Sequence, residues 1–447
     1  MNIDEIVDEC KLESDMCKYI DEIKQCYGFN REELKDYALK RINMELPVIV
    51  ECTPYYKALY QEGKFPDQVH SLEEFAQIPF VTKQLLREQY PFGFLNGSMD
   101  QVVRYGESTG TSGSPTSSFM SKKDWEENIA RVTLHLSNFF SKSDTVFIMI
   151  PFELAFSSVD MDKSLWNIGS CVVAIGAKNQ VCSMDRVAEM MIKVKPTALI
   201  CSPTRAIRLY YLLKEKGYEP EEVGLKTILY IGESCSDAKL DKIKEMWGVQ
   251  LTTIYGSTET NSIALPCEHN RSHLAEDRGY FELVDPESGE VLKNGKEGEL
   301  VITTLCHEAF PLIRYRTGDY VRIEDTPCTC GLSFRTIKHL GRYIDRKEVN
   351  GHPFMKNDLE NSVLSVKGTG CNFIYSINES ELHIAVDIIA DDKEAVKLQI
   401  IERLQDKYGV VSHVYELDRK KYFEIVDSSL KPGSIDYSSI LDKGGLL

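Results

Sequence analysis

The chain has 447 residues, 43% of them hydrophobic and 27% charged, with a formal net charge of −17. That length exceeds one ordinary hydrophobic core, so two or more domains are expected, and the acidity argues against an extended phosphate backbone: no basic cluster offsets it, and no nucleic-acid partner is expected. The opening MNIDEIVDECKLESDM is acidic with no long apolar run, no stretch reaches membrane-spanning length, and the 13 cysteines are scattered, which together predict a cytoplasmic protein with reduced thiols and no membrane partner.

Residues up to about 45 read as helical. Asn30 is placed to cap REELKDYALKRI, with Glu33 three residues on to complete a capping box, and Leu34, Tyr37, Ala38 and Ile42 fall on one face. The stretch 55–95 mixes short helical patterns with Pro and Gly breaks and leads into YGESTGTSGSPT, residues 105–116. There Ser108, Thr109, Thr111 and Ser112 lie among Gly106, Gly110 and Gly113. Small hydroxyls between successive backbone N–H groups form a concavity suited to phosphate oxygens. Taken alone the run also fits a flexible surface turn, and it lacks the Gly-Lys-Ser/Thr of a Walker loop.

KKDWEENIARVTLHLSNFF then reads as an amphipathic helix. Apolar runs of strand length follow, in DTVFIMIPF, SCVVAIGA, PTALICSP and LKTILYIG, alternating with the helical MDRVAEMMIKV, TRAIRLYYLLKEKG and DAKLDKIKEMWG. This alternation predicts an α/β fold with a largely parallel sheet, whose ligands sit beyond the carboxyl ends of the strands. LYIGES and TIYGSTET each put a Gly-containing turn at such an end. From about 278 to 325 apolar and polar residues alternate between turns, which predicts antiparallel strands in a β-rich subdomain. GRYIDRKEVNG, 341–351, reads as a connector, and 352–447 as a small α+β domain.

TIYGSTET, PLIRYRTGDY and GRYIDR, in this order after the hydroxyl loop, resemble the adenylate-forming superfamily of acyl- and aryl-CoA synthetases and adenylation domains. FPDQVHSLEEFAQIPFVTKQLLREQYPFGFL and GELVITTLCHEAFPLIRYRTGDY resemble its phenylacetate–coenzyme A ligase branch more narrowly. The resemblance runs from about 55 to 365. It implies a large ATP- and acid-binding domain over 1–340 (with 1–50 a helical N-terminal extension), a hinge connector over 341–351 and a small mobile domain over 352–447.

The resemblance also implies roles for residues. Ser108, Thr109, Gly110, Thr111, Ser112 and Gly113 match the loop that holds the β- and γ-phosphates of ATP, but Ser114 stands where such loops usually carry a lysine. Gly232 and Glu233 match a turn lining the adenine and acyl pockets. Tyr255 matches the aromatic that stacks on adenine, Gly256 and Thr258 lie beside it, and Glu259 matches the Mg²⁺ ligand, a use suited to a hard cation. Asp319 matches the carboxylate that accepts the ribose hydroxyls. Arg342 matches an arginine that contacts ribose and phosphate, Ile344 and Asp345 the hinge, and Gly351 the glycine that approaches the thiol tunnel. In LKPGSIDY, Ser434 stands where the branch has the lysine bridging carboxylate and α-phosphate; Lys431 is the best replacement, and Lys443 a poorer one. Phe152 and Glu153 open a stretch that contributes to the acid pocket in relatives, though it departs from the Gly-rich form of phenylacetate activators.

Cys267 and His273, with Cys328 and Cys330, have the residue types for a tetrahedral structural Zn²⁺ site, which members of the branch often carry; His269 is the alternative fourth ligand. The expected activity is ATP-dependent activation of a carboxylic, aromatic acid as acyl-AMP, followed by thioester formation with coenzyme A. Its alternatives are an adenylation enzyme loading an aryl or amino acid onto a carrier-protein phosphopantetheine, and a non-catalytic nucleotide-binding relative. The family suggests a homodimer.

Overall fold

A computed structural model describes residues 14–108, 114–177, 181–293, 295–378 and 380–429, together with Ser438 and Leu441. Among these residues no helix is long and apolar enough to cross a membrane. The chain divides into two compact units, Met1–Ala174 with Thr252–His339, and Ile175–Leu251 with Leu340–Leu447.

The first unit opens with helices Ser14–Tyr27 and Arg31–Cys52. Asn30 Oδ1 accepts the N–H groups of Glu32 and Glu33 at 2.9 and 3.1 Å, and Glu33 accepts the N–H of Asn30 at 2.7 Å. This is the capping box expected from sequence, and it satisfies donors that a helix start leaves unpaired. The helix continues through Pro47, beyond the expected end near 45. Its buried stripe, Ala38, Ile42, Leu46 and Ile49, packs into a core with Tyr56, Phe75, Phe94, Phe119 and Phe310.

Strands Val102–Glu107 and Ser117–Ser121 pair antiparallel on either side of the hydroxyl-rich loop. Strands Thr145–Ile148 and Cys171–Ala174 pair in parallel, joined through helix Ser157–Ile168. The expected β-rich region forms a seven-stranded sheet in the order Gly279–Val284, Glu297–Thr304, Tyr315–Glu324, Thr336–Arg342, Ser272–Leu274, Asn261–Pro266, Tyr255–Ser257. Just before Tyr315, the buried Arg314 guanidinium grips Glu282 through two bonds of 3.0 and 2.9 Å. Such fork-to-fork pairing fixes orientation as well as charge, and it anchors the strand that carries Asp319.

In the second unit, strands Ala198–Cys201 and Thr227–Tyr230 pair in parallel around helix Pro203–Glu215, as the alternation of apolar runs predicted. Its C-terminal part is a three-stranded sheet. Thr369–Asn378 and Glu381–Ile388 form an antiparallel hairpin, and Ser412–Glu416 joins in parallel after helix Lys393–Tyr408. Leu359, Val363, Leu382, Ile384, Ile400 and Leu404 fill the core beneath it. Lys239 and Glu360, both buried, form an ion pair of 3.1 Å between helices Asp237–Trp247 and Lys356–Leu364.

Candidate functional site

The first unit gathers a carboxylate, an ammonium and two hydroxyls at the foot of the hydroxyl-rich loop. Glu259 lies in the turn between strands Tyr255–Ser257 and Asn261–Pro266 and is only 3% exposed. The turn is tight enough to demand Gly256, since a Cβ there would lie 2.4 Å from the backbone oxygen of Asn261. Lys83 Nζ stands 3.0 Å from Glu259 Oε1, and Thr116 Oγ1 donates to the same oxygen at 2.7 Å. Ser108 Oγ lies 2.8 Å from Thr116 Oγ1. A hydroxyl has one proton to give, so with that of Thr116 committed to the carboxylate, the chain runs from Ser108 through Thr116 to Glu259. The N–H of Ser108 donates to the Thr116 carbonyl at 2.9 Å, and the N–H of Thr116 to Ser108 Oγ at 3.0 Å, which closes the foot of the loop.

Burial alone would raise the Glu259 pKa. The Lys83 ammonium, with hydrogen bonds from Thr116 and Lys83, outweighs it and holds the carboxyl below its usual value. An ionised carboxylate almost out of contact with water is therefore maintained here. Among the described residues both side-chain contacts fall on Oε1, so Oε2 is the oxygen available to a hard cation such as Mg²⁺.

Sequence reasoning missed Lys83. It opens the short helix Lys83–Glu88, whose cap Thr82 accepts the Leu85 N–H at 3.2 Å. Backbone bonds from Val81 to Arg314 and from Arg316 to Val81 tie this segment to the strand carrying Asp319. Ser114, where such loops in relatives usually carry a lysine, hints at a cation supplied from elsewhere, but nothing in the sequence says which one.

Tyr255 and Asp319, expected around adenine and ribose, meet directly: Tyr255 Oη donates to Asp319 Oδ2 at 2.5 Å. His339 joins them, with Nε2 3.4 Å from Asp319 Oδ1 and its ring 5.1 Å from that of Tyr255. Thr258 lies in the turn beside Glu259. Phe152 is half-buried and Glu153 exposed. The segment they open is pressed onto strand Val102–Glu107: Glu107 N–H donates to Leu154 O at 3.0 Å, and a Cβ at Gly106 would lie 2.6 Å from the Phe156 ring. Thr109, Gly110, Thr111, Ser112 and Gly113 lie outside the described residues, as do Lys431 and Lys443.

In the second unit, Gly232 is exposed and Glu233 accepts from the N–H and hydroxyl of Thr204 at 3.1 and 2.7 Å. Its carboxylate thus covers the N-terminus of helix Pro203–Glu215, where negative charge is favoured. Arg342 and Asp345 are exposed, Ile344 is 81% exposed in a single 3₁₀ turn, and Gly351 takes a φ of +77°.

The four sequence-predicted zinc ligands also converge in the first unit, their ligand atoms lying within 4.8 Å of one another. Cys267 Sγ is 3.9 Å from Cys328 Sγ, and Cys330 Sγ is 3.5 Å from His273 Nε2. Tetrahedral coordination with ordinary Zn–S and Zn–N bonds requires S···S edges of about 3.8 Å and S···N edges of about 3.6 Å. His273 Nδ1 lies 2.7 Å from the Phe334 carbonyl, which fixes the proton on Nδ1 and leaves the Nε2 lone pair facing the thiols. His269 is outside the cluster, half-exposed beside Glu268. The residues present fit Zn²⁺.

Residues 108–306 match the family model described as AMP-binding enzyme. The chain is 30% identical over 330 residues to a phenylacetate–coenzyme A ligase of Aromatoleum evansii, covering 72% of this chain and 73% of that protein. It is 27% identical over 414 residues to one from Thermus thermophilus, covering 86% and 92%. Among solved structures it is similar to a 2-hydroxyisobutyryl-CoA ligase in complex with 2-HIB-AMP, with a TM-score of 0.80 and 20% identity over 91% of this chain and 94% of that one, a likeness of fold. The chain belongs to the adenylate-forming superfamily of AMP-binding enzymes, in its phenylacetate–coenzyme A ligase branch.

Proposed function

We propose that this chain activates an aromatic carboxylic acid on ATP, with Glu259, Lys83, Thr116 and Ser108 handling the phosphates, and passes the acyl group to the thiol of coenzyme A. The reaction class follows from the family: an acid–thiol ligase that forms AMP. One oxygen of the acid attacks the α-phosphorus of ATP and pyrophosphate leaves, giving the acyl-AMP. The thiolate then attacks the acyl carbon, and AMP departs with its electron pair. In-line displacement at phosphorus needs mainly positioning and neutralised charge.

The observation that carries this reading is the buried, ionised Glu259 bracketed by Lys83 and Thr116. Glu259 would hold Mg²⁺, which supplies charge neutralisation at the phosphates. The Lys83 ammonium takes the place of the lysine missing at Ser114 and faces the leaving pyrophosphate. Ser108 and the residues Thr109–Gly113 surround the β- and γ-phosphates. Tyr255, with Gly256 and Thr258 beside it, takes the adenine, Asp319 the ribose hydroxyls, and His339 orients the Asp319 carboxylate. Gly232 and Glu233 border the adenine and acyl pockets, and Phe152 and Glu153 belong to the acid pocket. Arg342 contacts the ribose and phosphate, and Gly351 lies on the approach to the thiol. We assign 1–340 to the large domain, 341–351 with Ile344 and Asp345 to the hinge, and 352–447 to the mobile domain that brings in Lys431. Cys267, His273, Cys328 and Cys330 hold a structural Zn²⁺, and the protein works in the cytoplasm as a homodimer.

The test is thioester formation by the purified full chain with ATP, Mg²⁺ and a panel of aryl, arylacetic and short aliphatic acids, offered either free coenzyme A or a phosphopantetheinylated carrier protein. Aryl-CoA product is expected. Product on the carrier protein alone would move the chain to the adenylation enzymes of carrier-protein pathways, and an aliphatic preference would overturn the aromatic assignment.

A further inference from the structure

The exposed face of the three-stranded sheet in the second unit carries a group of side chains that the adenylation chemistry does not use. Glu381 and His383 lie two residues apart on strand Glu381–Ile388, and so point to the same side, as alternate residues of a strand do. His413, on the neighbouring parallel strand Ser412–Glu416, is the register partner of His383. The intervening Leu382 and Ile384, with Val414, point the other way into the core. Three ligand-bearing side chains are thus fixed by sheet geometry on one face, each half-buried.

We propose that Glu381, His383 and His413 form a binding site for a divalent transition-metal ion. Their ligand atoms lie within 4.8 Å of one another. The two imidazoles are stacked, with centroids 4.8 Å apart and planes 22° from parallel, and His413 Nε2 is 2.9 Å from Glu381 Oε2. His383 Nδ1 lies 3.3 Å from the Tyr415 hydroxyl, so a proton held on Nδ1 by that contact leaves the Nε2 lone pair available. A simple ion pair accounts for Glu381 and one histidine. The strand register sets the second imidazole against the first, and a cation shared by all three groups would use both lone pairs at one point. Two imidazole nitrogens and one carboxylate oxygen suit Zn²⁺, Ni²⁺ or Cu²⁺ far better than Mg²⁺ or Ca²⁺, which take oxygen. Among the described residues three ligands come together, which leaves positions on the ion for water. The site shares no residue with the cysteine-containing cluster and lies in the other unit.

Titration of the full-length protein with Zn²⁺, without nucleotide, tests this, after the protein has been loaded with one Zn²⁺ per chain and freed of excess. Calorimetry should show a further ion binding. His413→Ala and His383→Ala should each weaken that binding by on the order of 100-fold, at the upper end of what even an outer-sphere partner contributes. His70→Ala, an exposed imidazole elsewhere, should leave it unchanged. The readout is the difference between parent and histidine variants, so it does not depend on how the cysteine cluster is filled. Both substitutions are at half-exposed positions, and equal thermal midpoints in chelator will show that the variants fold. No binding event sensitive to His413 and His383 would overturn the proposal and leave an ion pair with a stacked neighbour only.

Discussion

Removing the Lys83 ammonium while keeping its stem, as in Lys83→Met, isolates the charge that faces Glu259. At 3.0 Å the pair has a gross Coulomb attraction of about 5 kcal/mol at an effective dielectric of about 20. Lys83 is 30% exposed and Glu259 3% exposed, so solvent screens one partner and the other has already given up most of its hydration. After that discount a coupling of about 1–2 kcal/mol remains. The assay is a double-mutant cycle, measuring urea unfolding of the parent, Lys83→Met, Glu259→Gln and the double variant. Lys83→Met alone should destabilise, because it strands a buried carboxylate; the loss should be smaller when Glu259→Gln has already removed the charge. The sign with pH follows from the depressed Glu259 pKa. Its stabilisation is present above the unfolded-state value of about 4.3 and is lost as pH falls through the folded-state value. Lys83→Met should flatten that acid limb. A coupling energy below about 0.3 kcal/mol, within the usual additivity error, would refute the claim that Lys83 holds Glu259 ionised.

Three further outcomes follow from single features. Gly106→Ala puts a Cβ 2.6 Å from the Phe156 ring and 3.0 Å from the Leu154 carbonyl, so the segment we assign to the acid pocket must move; steady-state kinetics should show KM for the acid rising more than KM for ATP. Burial pushes Asp160 up to about 7, against the pull of Arg104, Arg278 and its bond from Asn128. Between pH about 4 and about 7 the folded chain therefore holds a proton that the unfolded chain lacks, and stability falls by up to about 1.4 kcal/mol per pH unit. Asp160→Asn should remove that contribution, which paired urea titrations across the range will detect. Stripping metal with a strong chelator should lower the thermal midpoint by several degrees, and Cys330→Ser should carry about one Zn²⁺ per chain less than the parent by elemental analysis.

Much of the architecture is legible because its signals are local. The Asn30–Glu33 capping box needs four residues to be read, and the alternation in 279–324 shows its period within each strand. The apolar runs at 145–148, 171–174, 198–201 and 227–230 are short and bounded by turns, so they read as parallel strands without any knowledge of their neighbours. The Cys/His cluster is intermediate. Closely spaced Cys and His residues advertise it, but the choice between His269 and His273 depends on which imidazole faces strand Thr336–Arg342 and the Phe334 carbonyl. Lys83 is illegible for a different reason: nothing local distinguishes it from any lysine at a helix start, and only the long-range approach of its segment to Glu259 gives it a role. Glu233 shows the same dependence, since its bond to Thr204 joins a loop to the start of helix Pro203–Glu215, 29 residues earlier. Helix Arg31–Cys52 runs past the expected end near 45 and through Pro47 because burial of Leu46 and Ile49 overrides a local helix breaker.

The most direct test of the central claim is acid-dependent ATP–pyrophosphate exchange, compared between the parent chain and Glu259→Gln. The substitution keeps the shape of the turn and the hydrogen bond from Thr116 but removes the charge facing Lys83. Exchange that requires both Mg²⁺ and an acid in the parent, and that falls by on the order of 100-fold or more in Glu259→Gln, is what the account predicts. Exchange unchanged by Glu259→Gln, or absent from the parent with every acid offered, would contradict it.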